Sequence, residues 1–289
     1  MIGDALMDIT ARIDSPITYA SDTPARISQQ PGGSGANTAA WLAASGGRVT
    51  FIGSAGDDAF GASLTGRLAE LGVDVQVSRT SDAPTGTCIV IVDAIGERTM
   101  FPDPGANTLL SPAFVASVLE SGYDHLHVSG YTLFNEGSRA AGIAAIQTAR
   151  HVGCTVSLDT ASSGPLEGCR DVVLALLPQV DVVLANAAEA VVLSGRADPD
   201  LALAVLGAGA GTVVVKRGPL GAVGTRAGTV AQVPARPVDV VDTTGAGDAF
   251  GAGFLLAWLA GSPLDEAQTA GTATAAAAVT RVGAGPPHP

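Results

Sequence analysis

Nothing in this chain supplies the roughly 18 uninterrupted apolar residues that a membrane-spanning helix needs. The longest candidate, residues 172–193, is broken by Pro178, Asp181, Asn186 and Glu189. Asp4 and Asp8 interrupt the start of the chain, which does not read as a secretory signal. Cysteine is scarce: Cys88, Cys154 and Cys169 lack the short paired spacing of a disulfide framework or a metal knuckle. Positive charge is scarce too. Fifteen Lys and Arg face 27 Asp and Glu, for a net charge of −12 and a pI near 4.5. That balance argues against a nucleic-acid or anionic-membrane surface. These absences predict a soluble, cytoplasmic protein with no nucleic-acid or membrane partner. They leave phosphate ligands open, because a phosphate site needs only local N–H groups and one or two cations. Familiar nucleotide motifs are missing as well. There is no Gly-x-x-x-x-Gly-Lys-Ser/Thr loop and no protein-kinase signature set. No Gly-x-Gly-x-x-Gly follows the first strand, which removes a dinucleotide-dependent oxidoreductase.

What is present is a rhythm of short β-branched runs and helical patterns. Val49-Thr50-Phe51-Ile52-Gly53 reads as a buried strand, followed by a helix with Phe60, Leu64, Leu68 and Leu71 on one face. Further strands are expected at 126–129, 156–159, 180–184 and 212–215. Strands separated by helices imply βαβ units and a mostly parallel sheet covered on both faces. A length of 289 residues suits one large α/β domain. Two segments break the rhythm: residues 9–31, with Pro16, Pro24 and Pro31, and residues 85–103, read as a hairpin turning near 93–97. Such strands do not belong in a parallel core. Trp41 and Trp258 lie on apolar helical faces, and His125, His127, His151 and His288 have no metal-like spacing, so all six are expected to be structural or exposed.

The most informative stretch is Asp242-Thr243-Thr244-Gly245-Ala246-Gly247-Asp248-Ala249-Phe250-Gly251-Ala252-Gly253, which leads into an apolar helix. A Gly-Ala-Gly turn before a helix aims backbone N–H groups at one spot, and the helix dipole adds positive potential there. Asp248 at its mouth could accept a proton from a hydroxyl attacking a phosphoryl group. An ordinary Gly-rich loop capped by Asp would look the same in isolation. A second anchor lies about 200 residues earlier: Gly32-Gly33-Ser34-Gly35-Ala36-Asn37-Thr38-Ala39, then Gly46 and Gly56.

The two stretches together resemble the C-terminal and N-terminal signatures of the ribokinase-like (PfkB) carbohydrate kinases. Smaller resemblances fill the interval: Thr85-Gly86, Pro104-Gly105-Ala106-Asn107, Asn186-Ala187-Ala188-Glu189, Lys216-Arg217-Gly218 with Gly221, and Ala278-Val279-Thr280-Arg281. The resemblance implies a three-layer α/β/α sandwich with a mostly parallel sheet and a small β lid built from segments near 9–31 and 85–103. It implies ATP, Mg²⁺ and possibly K⁺ as cofactors, a sugar acceptor, and a homodimer joined through the lid. Asp248 would be the base, and Gly245, Ala246 and Gly247 the anion hole. Asp8, Asp4, Gly33 and Asn37 would contact the acceptor, although Asn37 could equally cap a helix. Asn186, Lys216, Gly218, Gly221 and Gly247 would meet the nucleotide, although Lys216 could equally be a solvated strand end. Glu189 would reach Mg²⁺ through water, although Asn-x-x-Glu also reads as a helix cap. Asp242, Thr244, Ala278, Arg281 and Gly283 match monovalent-cation positions. Departures from the ribokinase pattern at Gly130, Thr272 and Pro287 put ribose specificity and cation activation in doubt. Arg98 in the hairpin could answer an acidic or phosphorylated substrate, or be an exposed strand charge. Only Met1 and Ile2 precede Gly3, so the first strand is short or the true start lies upstream. Sugar kinase, nucleoside kinase and a non-catalytic sugar or nucleotide sensor on the same fold remain the alternatives.

Overall fold

The computed structural model describes residues 1–289 except Gly96, Ser121, His288 and Pro289, so the reading of His288 lies outside the described residues. The elements run Leu6–Ile13 (β1), Ala25–Gly32 (β2), Ser34–Ala44 (α1), Thr50–Gly56 (β3), Ala59–Glu70 (α2), Asp74–Thr80 (β4), Gly86–Val92 (β5) and Arg98–Asp103 (β6). Next come Pro112–Val118 (α3), His125–Ser129 (β7), Tyr131–Phe134 (α4), Glu136–His151 (α5), Thr155–Asp159 (β8), Ser163–Leu176 (α6), Val182–Asn186 (β9), Ala187–Ser194 (α7) and Pro199–Gly207 (α8). The chain closes with Thr212–Lys216 (β10), Ala222–Arg226 (β11), Thr229–Val233 (β12), Ala246–Leu259 (α9) and Leu264–Val279 (α10).

The central sheet has the order β12-β11-β10-β9-β8-β7, with β7 to β10 parallel. Ile2 bridges it to the parallel pair β3-β4, because Ile2 pairs with both Val128 and Ile52. The first strand is thus a single bridged residue in the sheet. Along β9 and β10 the side chains alternate between two cores. Val183, Ala185, Val213 and Val215 face the layer of α5 to α8, while Val182, Leu184 and Val214 face α9 and α10. A strand buried on both faces must be apolar at every position, which is why these runs show no polar alternation. Each fully buried Val or Leu contributes about 1.5–3 kcal/mol over an exposed one. The expected α/β/α sandwich is therefore the fold adopted. β9 begins two positions later than expected, at Val182, and the antiparallel hairpin β11-β12 at the sheet edge was not anticipated.

The two rhythm-breaking segments form one separate sheet, β2-β1-β5-β6. Its even-numbered side chains, Asp8, Cys88, Arg98 and Met100, look into a cavity. Its odd-numbered ones, Ile9, Ile27, Ile89, Ile91 and Phe101, face outward, with Ile27 63%, Ile89 48% and Phe101 54% exposed. The buried Asn107 fastens this sheet to the core: its side chain accepts from the Ala5 N–H at 3.0 Å and donates to the Ala5 and Pro104 carbonyls. Trp41 is buried, its indole donating to the Ala284 carbonyl at 2.8 Å. Trp258 is half-buried under the Arg226 guanidinium. No described helix is long and apolar enough to cross a membrane.

Candidate active site

A cavity of about 1350 Å³ lies between the central sheet and the small sheet. In parallel sheets the carboxyl ends of the strands open onto the binding crevice. Here Ser129, Asp159, Asn186 and Lys216 end β7, β8, β9 and β10 respectively.

α9 starts at the cavity wall. Gly245, its N-cap, has φ 73°, and a side chain there would collide with the Ala284 carbonyl. Only glycine fits both demands. The N–H groups of Gly245, Gly247 and Asp248 meet no acceptor among the described residues, as expected for the first turn of a helix. Asp248 follows at once. Its Oδ1 accepts the Ser34 hydroxyl at 2.8 Å and its Oδ2 accepts the Asn37 side-chain amide at 3.2 Å. Burial pushes its carboxyl up to about 7, with Asp159 and Asp4 adding repulsion, while Ser34 and Lys216 pull the other way. The N-terminal and C-terminal signatures therefore meet at one carboxylate. Asn37 sits within α1, whose N-cap is Gly33, so helix capping does not explain it.

Asp4 and Asp8 part company. The Asp4 carboxylate accepts the Ser34 and Gly35 N–H groups and the Ser129 hydroxyl, so it caps α1. Gly33, at φ 97°, packs against Asp4 backbone, where a side chain would lie 2.7 Å from its carbonyl oxygen. Asp8 is 6% exposed, lines the cavity, and has no hydrogen-bond partner among the described residues. Burial and the neighbouring Asp4 charge push it up to about 6. Of the two, Asp8 has its oxygens free for an acceptor.

Asn186 and Glu189 form a reciprocal capping box on α7. Asn186 Oδ1 accepts the Glu189 N–H at 2.9 Å, and Glu189 Oε2 accepts the Asn186 N–H at 2.8 Å. The capping alternative is thus real, yet both residues also line the cavity. Glu189 additionally accepts the Thr160 hydroxyl at 2.7 Å, and burial raises its carboxyl above the usual range. No group of three metal-ligating side chains exists among the described residues. The donor set of Asp159, Asn186 and Glu189 therefore suits a Mg²⁺ that keeps most of its waters, not a protein cage.

Lys216 is not a solvated strand end. Its Nζ lies 2.6 Å from Asp159 Oδ2, with side chains 14% and 8% exposed. Burial opposes its charge, but Asp159 and Glu189 outweigh that and raise it above the ordinary lysine value. A Cβ added at Gly247 would lie 3.4 Å from this ammonium, so a cation stands beside the α9 amides. Asp159 is the residue that sequence reasoning missed. One signal was available: Lys216 is the only lysine in 289 residues, and a buried ammonium demands a carboxylate partner. Ser34 was passed over too, although it stands inside the Gly-rich signature. Gly218 and Gly221 line the far end of the cavity with Pro219, Val238, Thr272, Ala276 and Val279.

The cation candidates come together at the base of the loop. Asp242 Oδ2 accepts the Gly283 N–H at 3.0 Å and its Oδ1 accepts the Thr244 N–H at 2.7 Å. The Arg281 N–H donates to the Ala278 carbonyl at the end of α10. Arg98 is no free strand charge: its Nη2 lies 2.6 Å from Asp242 Oδ1.

The family model described as pfkB family carbohydrate kinase matches residues 1–289. A fructokinase from Klebsiella pneumoniae is 34% identical over 264 residues, covering 88% of this chain and 82% of that one. The adenosine kinase structure from Sinorhizobium meliloti superposes with a TM-score of 0.90 at 30% identity, covering 99% and 94%. A candidate ribokinase II from Escherichia coli, solved with ATP and Mg²⁺, gives 0.88 at 29% identity, covering 98% and 92%.

Proposed function

Because this chain belongs to the pfkB family of carbohydrate kinases, we propose that it transfers the γ-phosphoryl group of ATP to a primary hydroxyl of a sugar or sugar-like acceptor. The observation that carries this reading is the Asp248 carboxylate, held by Ser34 and Asn37 beside the open α9 amides. A carboxyl near 7 accepts a proton efficiently at neutral pH. Phosphoryl transfer passes through a loose, charge-spread state, so positioning and charge neutralisation do most of the work. The Gly245 and Gly247 amides and the Lys216 ammonium offer that neutralisation in a partly dry site, whereas the expected Ala246 N–H is taken up by the Thr243 carbonyl. Asp8 binds acceptor hydroxyls and orients the attacking oxygen toward Asp248. Asp159, Asn186 and Glu189 would hold a Mg²⁺ through its waters, and the ion would supply neutralisation of phosphate charge when bound. Gly218, Gly221 and the apolar slot around Thr272 take the rest of the nucleotide. Potassium has an accessory part in this reading, since Asp242 already has protein donors on both oxygens.

The small sheet serves as a lid in a single-domain enzyme, and its outward row of Ile27, Ile89 and Phe101 is the proposed homodimer surface. The reaction is assigned to the cytoplasm, where ATP is made available. One observation favours a nucleoside acceptor as the second reading. Tyr131 and Phe134 line the cavity as an edge-to-face pair with centroids 5.3 Å apart, a wall suited to a base or another flat group. The test is an ATP-consumption screen with Mg²⁺ across fructose, ribose, 2-keto-3-deoxygluconate, adenosine and pseudouridine. Turnover with none of them, in a protein that binds ATP, would favour a sensor instead.

A further inference from the structure

We propose that Arg98 is a positioning residue: its guanidinium reaches from the small sheet to Asp242, holds the Asp242–Asp248 loop in its anion-binding shape, and fills the place of an inorganic cation at that carboxylate. The argument starts with β6. Arg98 is its one half-buried residue; Thr99 to Asp103 are all exposed. Its partial burial comes with a contact to the loop that follows β12, since Arg98 meets Asp242 and Thr243 there. The contact spans 144 residues of sequence, and its geometry is specific. Nη2 lies 2.6 Å from Asp242 Oδ1 and Nη1 lies 3.2 Å from the Thr243 hydroxyl. The side chains of Arg98 and Asp242 are 26% and 13% exposed, so solvent screens the pair only in part.

Asp242 is the joint through which this charge acts. Its carboxylate ties the Thr244 N–H, two residues on, to the Gly283 N–H beyond α10. Burial opposes its ionisation, but the Gly283 and Thr244 N–H groups and the Arg98 charge outweigh that and hold it below the ordinary carboxylate range. Gly245, the turn residue at φ 73°, follows immediately, and the open amides of α9 begin there. Removing the guanidinium leaves a partly buried carboxylate short of a positive partner. The loop must then hydrate or rearrange to compensate. Tilting the small sheet away would do the same, so the loop is held in shape only while the sheet is down.

The inference rests on the kinase reading for its purpose but not for its test. In Arg98→Gln, exchange of the hydrogen-bonded amides of Thr244, Ala246 and Ala249 should quicken about tenfold, the loss of roughly 1.4 kcal/mol of local protection. Amides of β9 and β10 should exchange as in the wild type, which separates this effect from failure to fold. Guanidinium chloride, at concentrations far below denaturing and against a choline chloride control, should restore protection in Arg98→Gln. It should not do so in Asp242→Asn. Potassium chloride should act on Arg98→Gln in the same sense and leave the wild type unchanged. Arg98→Lys, which keeps the charge without the fork, should fall between the two. With an acceptor the wild type uses, Arg98→Gln should lower kcat roughly tenfold or more and change KM for the acceptor less than about threefold. Wild-type exchange in Arg98→Gln, or fast exchange that guanidinium leaves untouched, would overturn the proposal. Absence of turnover in every protein would count against the kinase reading and leave the exchange result standing.

Discussion

Protonation of Asp248 should set the acid limb of the rate profile. Its carboxyl is pushed up to about 7 by burial, with Asp159 and Asp4 adding repulsion. A raised carboxyl is protonated across a wider range, and only the ionised form can take the acceptor proton. The active fraction is then about one tenth at pH 6, one half at pH 7 and nine tenths at pH 8. Activity should therefore rise about tenfold between pH 6 and 8 and flatten above. The hydrogen bond from Ser34 gives an internal check. Its hydroxyl donates to Oδ1 at 2.8 Å and favours the ionised form. A hydrogen bond to a charged group is worth about 1.5 kcal/mol, close to one pH unit. Ser34→Ala should accordingly move the limb upward by about one unit, while the plateau changes less. Asp248→Asn should lose roughly 10²–10⁴ in kcat with ATP binding retained. ADP formation, measured directly by phosphorus NMR, avoids coupling enzymes with pH limits of their own. A wild-type rate flat from pH 5.5 to 8, or a limb that Ser34→Ala leaves in place, would refute the reasoning.

Lys216→Met should strand the Asp159 carboxylate, cost about 3 kcal/mol of stability, and raise KM for ATP; an unchanged melting temperature would show that the pair adds nothing. Glu189→Gln should raise the Mg²⁺ concentration for half-maximal rate with little change in acceptor affinity. An unaltered Mg²⁺ dependence would reduce Glu189 to its role in the capping box. Phe101→Asp, on the outer face of the small sheet, should convert a dimer to monomers in sedimentation. A wild type that sediments as a monomer at micromolar concentration would dispose of that surface.

Local patterns made most of the frame legible. The buried runs of β9 and β10 are almost wholly apolar and rich in valine, and the helix from Ala59 shows its three- and four-residue spacing, because one-face and two-face burial leave different periodicities. The glycine turn at 245 was legible for a similar reason, since a positive φ beside close backbone leaves one residue type possible. What stayed hidden depends on partners far apart in sequence. Nothing local distinguishes Asp159 from any acidic strand end until Lys216 arrives from β10. Arg98 reads as an exposed hairpin charge until the fold brings Asp242 beneath it. The Asn186–Glu189 spacing was legible but ambiguous, because the capping box and the cavity wall use the same two side chains. The spacing from Gly3 favours Asp8 over Asp4 but leaves Asp4 a possible share, and only the packing of α1 shows that Asp4 is spent as a cap.

A chain with one lysine, and that lysine locked to Asp159, has an unusual covalent surface. The other fourteen of its fifteen Lys and Arg residues are arginine, which does not serve as an amine nucleophile at neutral pH. Within these 289 residues, acyl donors, reducing sugars and conjugating enzymes that seek a side-chain amine find a single target. Reaction there would erase the ammonium beside the α9 amides, so this protein has no harmless lysine to modify.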